Sequence, residues 1–238
     1  MKLIATLALS ALSLGAVLSS VACSNGADEA YKAEPAYSGR KPSLPAVPTI
    51  PQIQIKDGDA YTVPGVIHHL RSRVHASEVT GKTIKIVGYI VDINVPRAPA
   101  CAVHKTGKAD PETCKSEVPT FTIAASKDDK TGKQIKVMGW ASNFANVFDA
   151  IEKYKGKKEP PKELVKDEFF QKDIPFPLPM VGAKVKVEGE YGPNFSGISS
   201  GLASDFNNGI LTYQKLEYVG EEYKTLPPTE LPKPAGKK

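Results

Sequence analysis

The chain has 238 residues, a formal net charge of +5 and 41% apolar side chains. So mild a charge, with its lysines spread over loops, linker and tail, excludes a nucleic-acid footprint and reads as solubility. About 160 residues, 61–222, look globular, enough for one domain with a real core.

The N-terminus reads MKLIATLALSALSLGAVLSSVAC. Lys2 supplies a positive start, an apolar run follows from Leu3 to about Leu18, and small residues lead to Cys23. This is the pattern of a secretory signal over 1–22. The run is at the short limit for the roughly 30 Å hydrocarbon core of a bilayer, and no positive flank follows it. Ser20-Val21-Ala22-Cys23 resembles the lipobox of bacterial lipoproteins, with Ser20 where that family usually has Leu. The resemblance implies that Cys23 becomes the first mature residue and carries acyl chains such as palmitate, which together anchor the protein to a membrane. Ser24 is not the Asp that retains some of these proteins at the inner membrane. The expected address is therefore the cell envelope, at the periplasmic face of the outer membrane.

Residues 23–60 contain Pro35, Pro42, Pro45, Pro48 and Pro51 and few large apolar side chains before Ile50. Such a segment cannot offset its ordering entropy, so it reads as a disordered linker of extended, polyproline character. The stretch VPGVIHHLRSRVHASEV, 63–79, is expected to form a short helix or an irregular cap on the domain. It holds His68, His69 and His75. His68 and His75 would share a helix face, as surface polarity or, more sharply, for metal capture, with no carboxylate pattern beside them.

The fold signal lies further on. GKTIKIVGYIVDINV, 81–95, alternates like a long strand that bends at Gly88. PTFTIAA, 119–125, and QIKVMGW, 134–140, are two more strands, separated by the turn KDDKTGK. Asp128 and Asp129 in that turn lack the further spaced oxygens that calcium requires. Phe144, Val147, Phe148, Ile151 and Tyr154 form one helical stripe, with Ser142 as the expected N-cap and Gly156 as the stop. KDIPFPLPMVG, 172–182, is either a lid on a barrel end or an extended partner-binding strip. GAKVKVEGEYG, 182–192, is a fourth strand. GILTYQKLEYVG, 209–220, is a fifth, and its apolar phase slips between Tyr213 and Leu216, which suggests a bulge. The tail, 223–238, is proline-rich and expected to be disordered.

Strand, strand, strand, helix, strand, strand, opening on a long kinked strand, resembles the OB-fold, a five-stranded barrel with a helix between strands three and four. That resemblance implies a binding face on strands two and three, flanked by the first and last loops. Alternation turns Thr120, Thr122, Gln134, Lys136, Met138 and Trp140 outward on this face. One aromatic among six is too few to stack single-stranded nucleic acid. The last loop, 193–208, is long and rich in Gly, Ser and Asn. Candidate groove residues are Lys136, Trp140, Tyr191, Asn194, Phe195 and Asp205.

The first loop contains CAVHKTGKADPETC. With Cys23 lipidated, Cys101 and Cys114 are left as a pair in an oxidising compartment, so a disulfide is expected. A metal site on Cys101, His104 and Cys114 is the alternative, one ligand short of a structural zinc site. FSGISSG lacks the spacing of a nucleophile elbow, and the glycine-rich loop leads into a strand rather than a helix. The sequence thus points to a lipid-anchored envelope binding or scaffold module that is not an enzyme and needs no cofactor, its partner an envelope protein or glycan. The alternative is an envelope metal-binding protein.

Overall fold

The computed structural model describes residues 45–46, 52–103, 113–114, 116–129, 132–198 and 202–232. The chain divides into two units between Ile50 and Pro51, and the fold below is that of the second. The expected leader, Cys23 and most of the expected linker lie outside the described residues.

Strand β3, Lys82–Ile93, organises the barrel. From Lys82 to Tyr89 it pairs antiparallel with β6, Lys184–Gly192, and from Tyr89 to Ile93 with β4, Phe121–Ala124. The change of partner follows Gly88 by one residue, and a bulge sits between Ile90 and Asp92. Gly88 is needed there because a Cβ would lie 2.8 Å from the Ala124 carbonyl and 2.9 Å from Val63 Cγ2. A glycine lets the strand pass close to its neighbour while it turns. β4 continues antiparallel to β5, Ile135–Met138, which runs parallel to β7, Ile210–Tyr218. β7 pairs antiparallel with β6, and β6 returns to β3, closing five strands into a mixed barrel. The register of β7 skips Gln214, which is the bulge expected between Tyr213 and Leu216. Helix α3, Phe144–Tyr154, lies between the third and fourth barrel strands. The domain is an OB-fold-like barrel, mainly β.

Every inward position of the alternating strands is filled. Ile86, Ile90, Phe121, Ile123, Ile135, Val137, Val185, Val187 and Leu211 are buried in one cluster. Each such side chain contributes roughly 1.5–3 kcal/mol by leaving water. Residues 172–182 belong to the same core: Ile174, Leu178 and Met180 are buried, and Phe176 stands edge-on to Tyr154 at 5.2 Å. Tyr154 Oη donates to the Ile174 carbonyl at 2.8 Å, and Tyr218 Oη to that of Leu178 at 2.6 Å. The segment therefore packs as a lid, because Ile174, Leu178 and Met180 are buried, while Val181 at its end is exposed.

Four expectations are corrected. The domain starts before residue 61: β1, Lys56–Asp57, forms a hairpin with β2, Ala60–Thr62, and β2 adds to β3 in parallel. The tail is not wholly disordered, since a 3₁₀ turn, Glu222–Thr225, with Tyr223, Leu226 and Leu231 packs on the core. Asn143, not Ser142, caps α3, accepting from the Asn146 N–H at 2.9 Å. Met138 and Trp140 are buried rather than exposed to solvent, Met138 under Phe195 on the outer side and Trp140 in the main core. The backbone turns at Gly139 with φ +84°, which breaks the alternation and sends Trp140 into the main core.

Candidate functional site

The candidate groove is largely consumed by packing. Phe195 is buried with Met138 and Ile210 in a second small cluster, joined edge-on by Phe170 at 5.9 Å. The last loop thus folds back over the outer side of β5 and β7. Tyr191 is buried, its hydroxyl donates to the Asn208 carbonyl at 2.5 Å, and burial pushes its ionisation well above the ordinary tyrosine range. Asp205 accepts from the N–H groups of Asn207 and Asn208 at 2.9 and 2.8 Å, so its carboxylate holds its own loop. Of the six candidates, Lys136 and Asn194 remain exposed. Periodicity could not foresee this, because the covering side chains come from loops distant in sequence.

Cys101 and Cys114 are joined in a disulfide with their Cα atoms 5.8 Å apart. Cys114, Ala102 and Val103 pack against the core, so the bridge pins the first loop to the barrel. The alternative metal site loses both thiolates to this bond, and His104 lies outside the described residues.

The 63–79 stretch folds as two helices, which is the cap expected there. Thr62 accepts from the Gly65 N–H at 3.0 Å and Pro64 occupies the first turn, two favourable signals that start α1, Val63–Arg71. Val63, Val66 and Ile67 face the core. His69 lies three residues after Val66 and is drawn to the same side, only 8% exposed. At the end of α1 the Ser72 hydroxyl accepts from the N–H groups of Val74 and His75, both at 3.3 Å, and folds the chain back. A single turn, α2, Ala76–Val79, follows and is anchored by buried Val79. This reversal lays His75 on His69, ring centroids 4.8 Å apart, and brings Glu78 to both.

Glu78 Oε1 is 2.8 Å from His75 Nδ1, and Oε2 is 3.4 Å from His69 Nδ1. One ligand atom from each of the three residues lies within 4.8 Å of the others. His69 Nδ1 is buried and has no hydrogen-bond partner among the described residues. Burial holds His69 below the ordinary imidazole range, and the hydrogen bond with His75 holds Glu78 below the ordinary carboxylate range. The pairing differs from the expected one: His75 meets His69, while His68 faces away and lines an open hollow of about 300 Å³ with Ile53, Pro64, Ile67, Arg71, Ser72 and Lys133. Glu78 was missed. Its spacing of three residues from His75 on a helical turn is the signal that could have found it.

No family model matches the chain, and no curated protein does. Among solved structures, a chain provisionally assigned as an aspartyl-tRNA synthetase from Leishmania major Friedlin is similar at 14% identity and a TM-score of 0.32. The match covers 76% of this chain and spans 24% of the length of that one. A likeness this low carries no argument about function.

Proposed function

We propose that the protein is a lipid-anchored, non-catalytic module of the cell envelope, whose barrel binds an envelope protein or glycan. The anchor rests on the lipobox-like Ser20-Val21-Ala22-Cys23 and the proline-rich tether behind it. The observation that carries the binding role is the hollow beside α1. Its lining combines apolar Ile53, Pro64 and Ile67 with cationic Arg71 and Lys133, and it opens to solvent. The barrel interior, by contrast, is filled with side chains. A shallow, half-apolar and cationic surface suits a macromolecular partner bearing negative charge better than an enclosed small substrate. Arg71 also donates to the Asn207 carbonyl at 2.7 Å and to Asn208 Oδ1 at 3.2 Å, so the hollow is braced against the last loop.

Cross-linking in intact envelopes, followed by pull-down, tests this reading. Wild type is expected to enrich a partner that Lys133→Glu loses and Lys157→Glu, on the far side of α3 in sequence, retains. A partner list identical for all three chains would sink it. Incorporation of a labelled fatty acid by wild type and not by Cys23→Ser tests the anchor separately.

A further inference from the structure

The His69–His75–Glu78 cluster shares no residue with the disulfide or with the lining of the partner hollow, although His68, which lines that hollow, lies next to His69 with ring centroids 6.1 Å apart. Two imidazoles and one carboxylate, drawn from α1, the residue that precedes α2 and α2 itself, come within 4.8 Å of one another. We infer that this cluster is a binding site for one borderline divalent transition-metal cation of the zinc class, held by His69, His75 and Glu78, with solvent completing the coordination shell.

Four observations carry the inference. The first is donor chemistry. Nitrogen from two imidazoles and oxygen from one carboxylate is a set that zinc accepts in three-ligand sites, whereas hard cations such as magnesium and calcium require oxygen donors.

The second is distance. Zinc bonds of about 2.0–2.2 Å place tetrahedral donors roughly 3.3–3.5 Å apart. Glu78 already stands with Oε1 2.8 Å from His75 Nδ1 and Oε2 3.4 Å from His69 Nδ1. With all three donor atoms within 4.8 Å, the widest pair must close by about 1.5 Å at most. His75, 44% exposed at its side chain, has the room to rotate for this.

The third is the orphaned nitrogen. His69 is a buried polar side chain whose Nδ1 lies 3.4 Å from Glu78 Oε2 without forming a hydrogen bond to it, and it meets no hydrogen-bond partner among the described residues. A buried imidazole nitrogen left without a partner costs about 1–3 kcal/mol. Coordination to a cation satisfies it.

The fourth is access. The His69 ring is held from below by Tyr61, edge-on at 5.6 Å, which in turn lies under Lys56 Nζ at 4.6 Å. On the other side Glu78 is 49% exposed. A cation can therefore enter from solvent, displace the His75–Glu78 hydrogen bond and keep water in its remaining positions. No redox or covalent step is involved. The bound ion would staple α2 to α1 and so fix the cap over the β2–β3 end of the barrel.

The inference does not depend on the anchor or on the envelope partner. The test uses the purified full chain, stripped with a chelator under non-reducing conditions and dialysed against zinc ion. Wild type is expected to bind zinc saturably, and His75→Ala and Glu78→Gln are each expected to weaken that binding by at least about tenfold, the least that even outer-shell changes commonly cost. Both residues are about half exposed, so these variants are expected to keep the wild-type circular dichroism, which is recorded alongside. His68→Ala, one residue from the site but facing the hollow, should bind as wild type does. Cobalt(II) substituted at the site should give the visible spectrum of nitrogen and oxygen ligands without a thiolate charge-transfer band. The proposal is overturned if wild type binds no zinc saturably, if the His75→Ala/Glu78→Gln double variant binds as tightly as wild type, or if the cobalt spectrum shows thiolate.

Discussion

Asp167 holds Ser142 at two points: its Oδ1 accepts from the Ser142 N–H at 2.7 Å and from the Ser142 hydroxyl at 2.8 Å. The same oxygen accepts from Asn146 Nδ2 at 2.8 Å, and Oδ2 accepts from the N–H groups of Phe169 and Phe170 at 3.0 and 2.7 Å. A fully buried carboxylate is thus compensated by five donors. It ties the 167–170 turn, just ahead of the lid segment, to the start of α3 and explains why Ser142 is not the helix cap.

Asp167→Asn should therefore be costly although nearly isosteric. Either orientation of the amide turns its NH₂ toward groups that are themselves donors. A loss of about 3 kcal/mol is expected from broken charge-assisted bonds and stranded donors. Urea unfolding should show a lower midpoint with an unchanged slope. A midpoint within experimental error of wild type would show that the knot contributes nothing to stability.

Gly189 marks the tightest approach in the barrel. A Cβ there would fall 2.1 Å from the Thr212 carbonyl oxygen, and backbone cannot yield as a flexible side chain can. The glycine sits beside the register shift between β6 and β7, where the strands draw together around Gln214. Gly189→Ala should cost more than the 1–3 kcal/mol typical of overpacking, about 4 kcal/mol. Gly132→Ala, where a Cβ meets nothing within 4 Å but φ is +73°, should cost only about 1 kcal/mol. Thermal melts of the two variants check the order; equal losses would place the strain elsewhere.

The barrel was legible because its strands are half-buried and alternate. Val185 and Val187 point inward while Lys184, Lys186 and Glu188 stay at least partly in solvent, and a period of two records that directly. The order of elements then left the OB-fold as the nearest topology. The groove was misread where tertiary contacts override the period. Trp140 leaves the strand at Gly139, and the outer side of Met138 is covered by Phe195 from 57 residues away in the chain. The cluster on α1 and α2 was misread for a different reason. Placing His68 and His75 on one helix face requires a helix that runs through Ser72, whereas the Ser72 turn breaks it there and delivers His69 instead. The Cys101–Cys114 pairing was legible from counting, because setting aside Cys23 in the expected leader leaves these two cysteines as a pair.

That bridge closes a loop of 13-residue separation. Restricting the unfolded chain by such a loop contributes about 3 kcal/mol. Titration of denatured, unreduced protein should find no free thiol at either position. Reductant should then lower the urea midpoint by an amount matching that loss. An unchanged midpoint would mean that packing of Ala102 and Val103 alone holds the first loop.

Asp59 lies in the β1–β2 turn and reaches two lysines on the barrel surface: Lys186 Nζ at 2.6 Å and Lys85 Nζ at 2.9 Å. The Lys186 hydrogen bond first, and the Lys85 bond second, pull its pKa from 3.8 down to about 2. The folded carboxylate is therefore harder to protonate than the unfolded one. Its contribution to stability is present above about pH 4 and is lost as the pH falls toward about 2. Because the Asp59 side chain is more than half exposed, salt screens the interaction. Following the Asp59 carboxyl by NMR should give a low titration midpoint in wild type. Lys186→Met should raise that midpoint further than Lys85→Met does, and about 0.5 M salt should shift the wild-type value upward. If the midpoint is insensitive to both substitutions, the β1–β2 hairpin is not held to the barrel by these ion pairs.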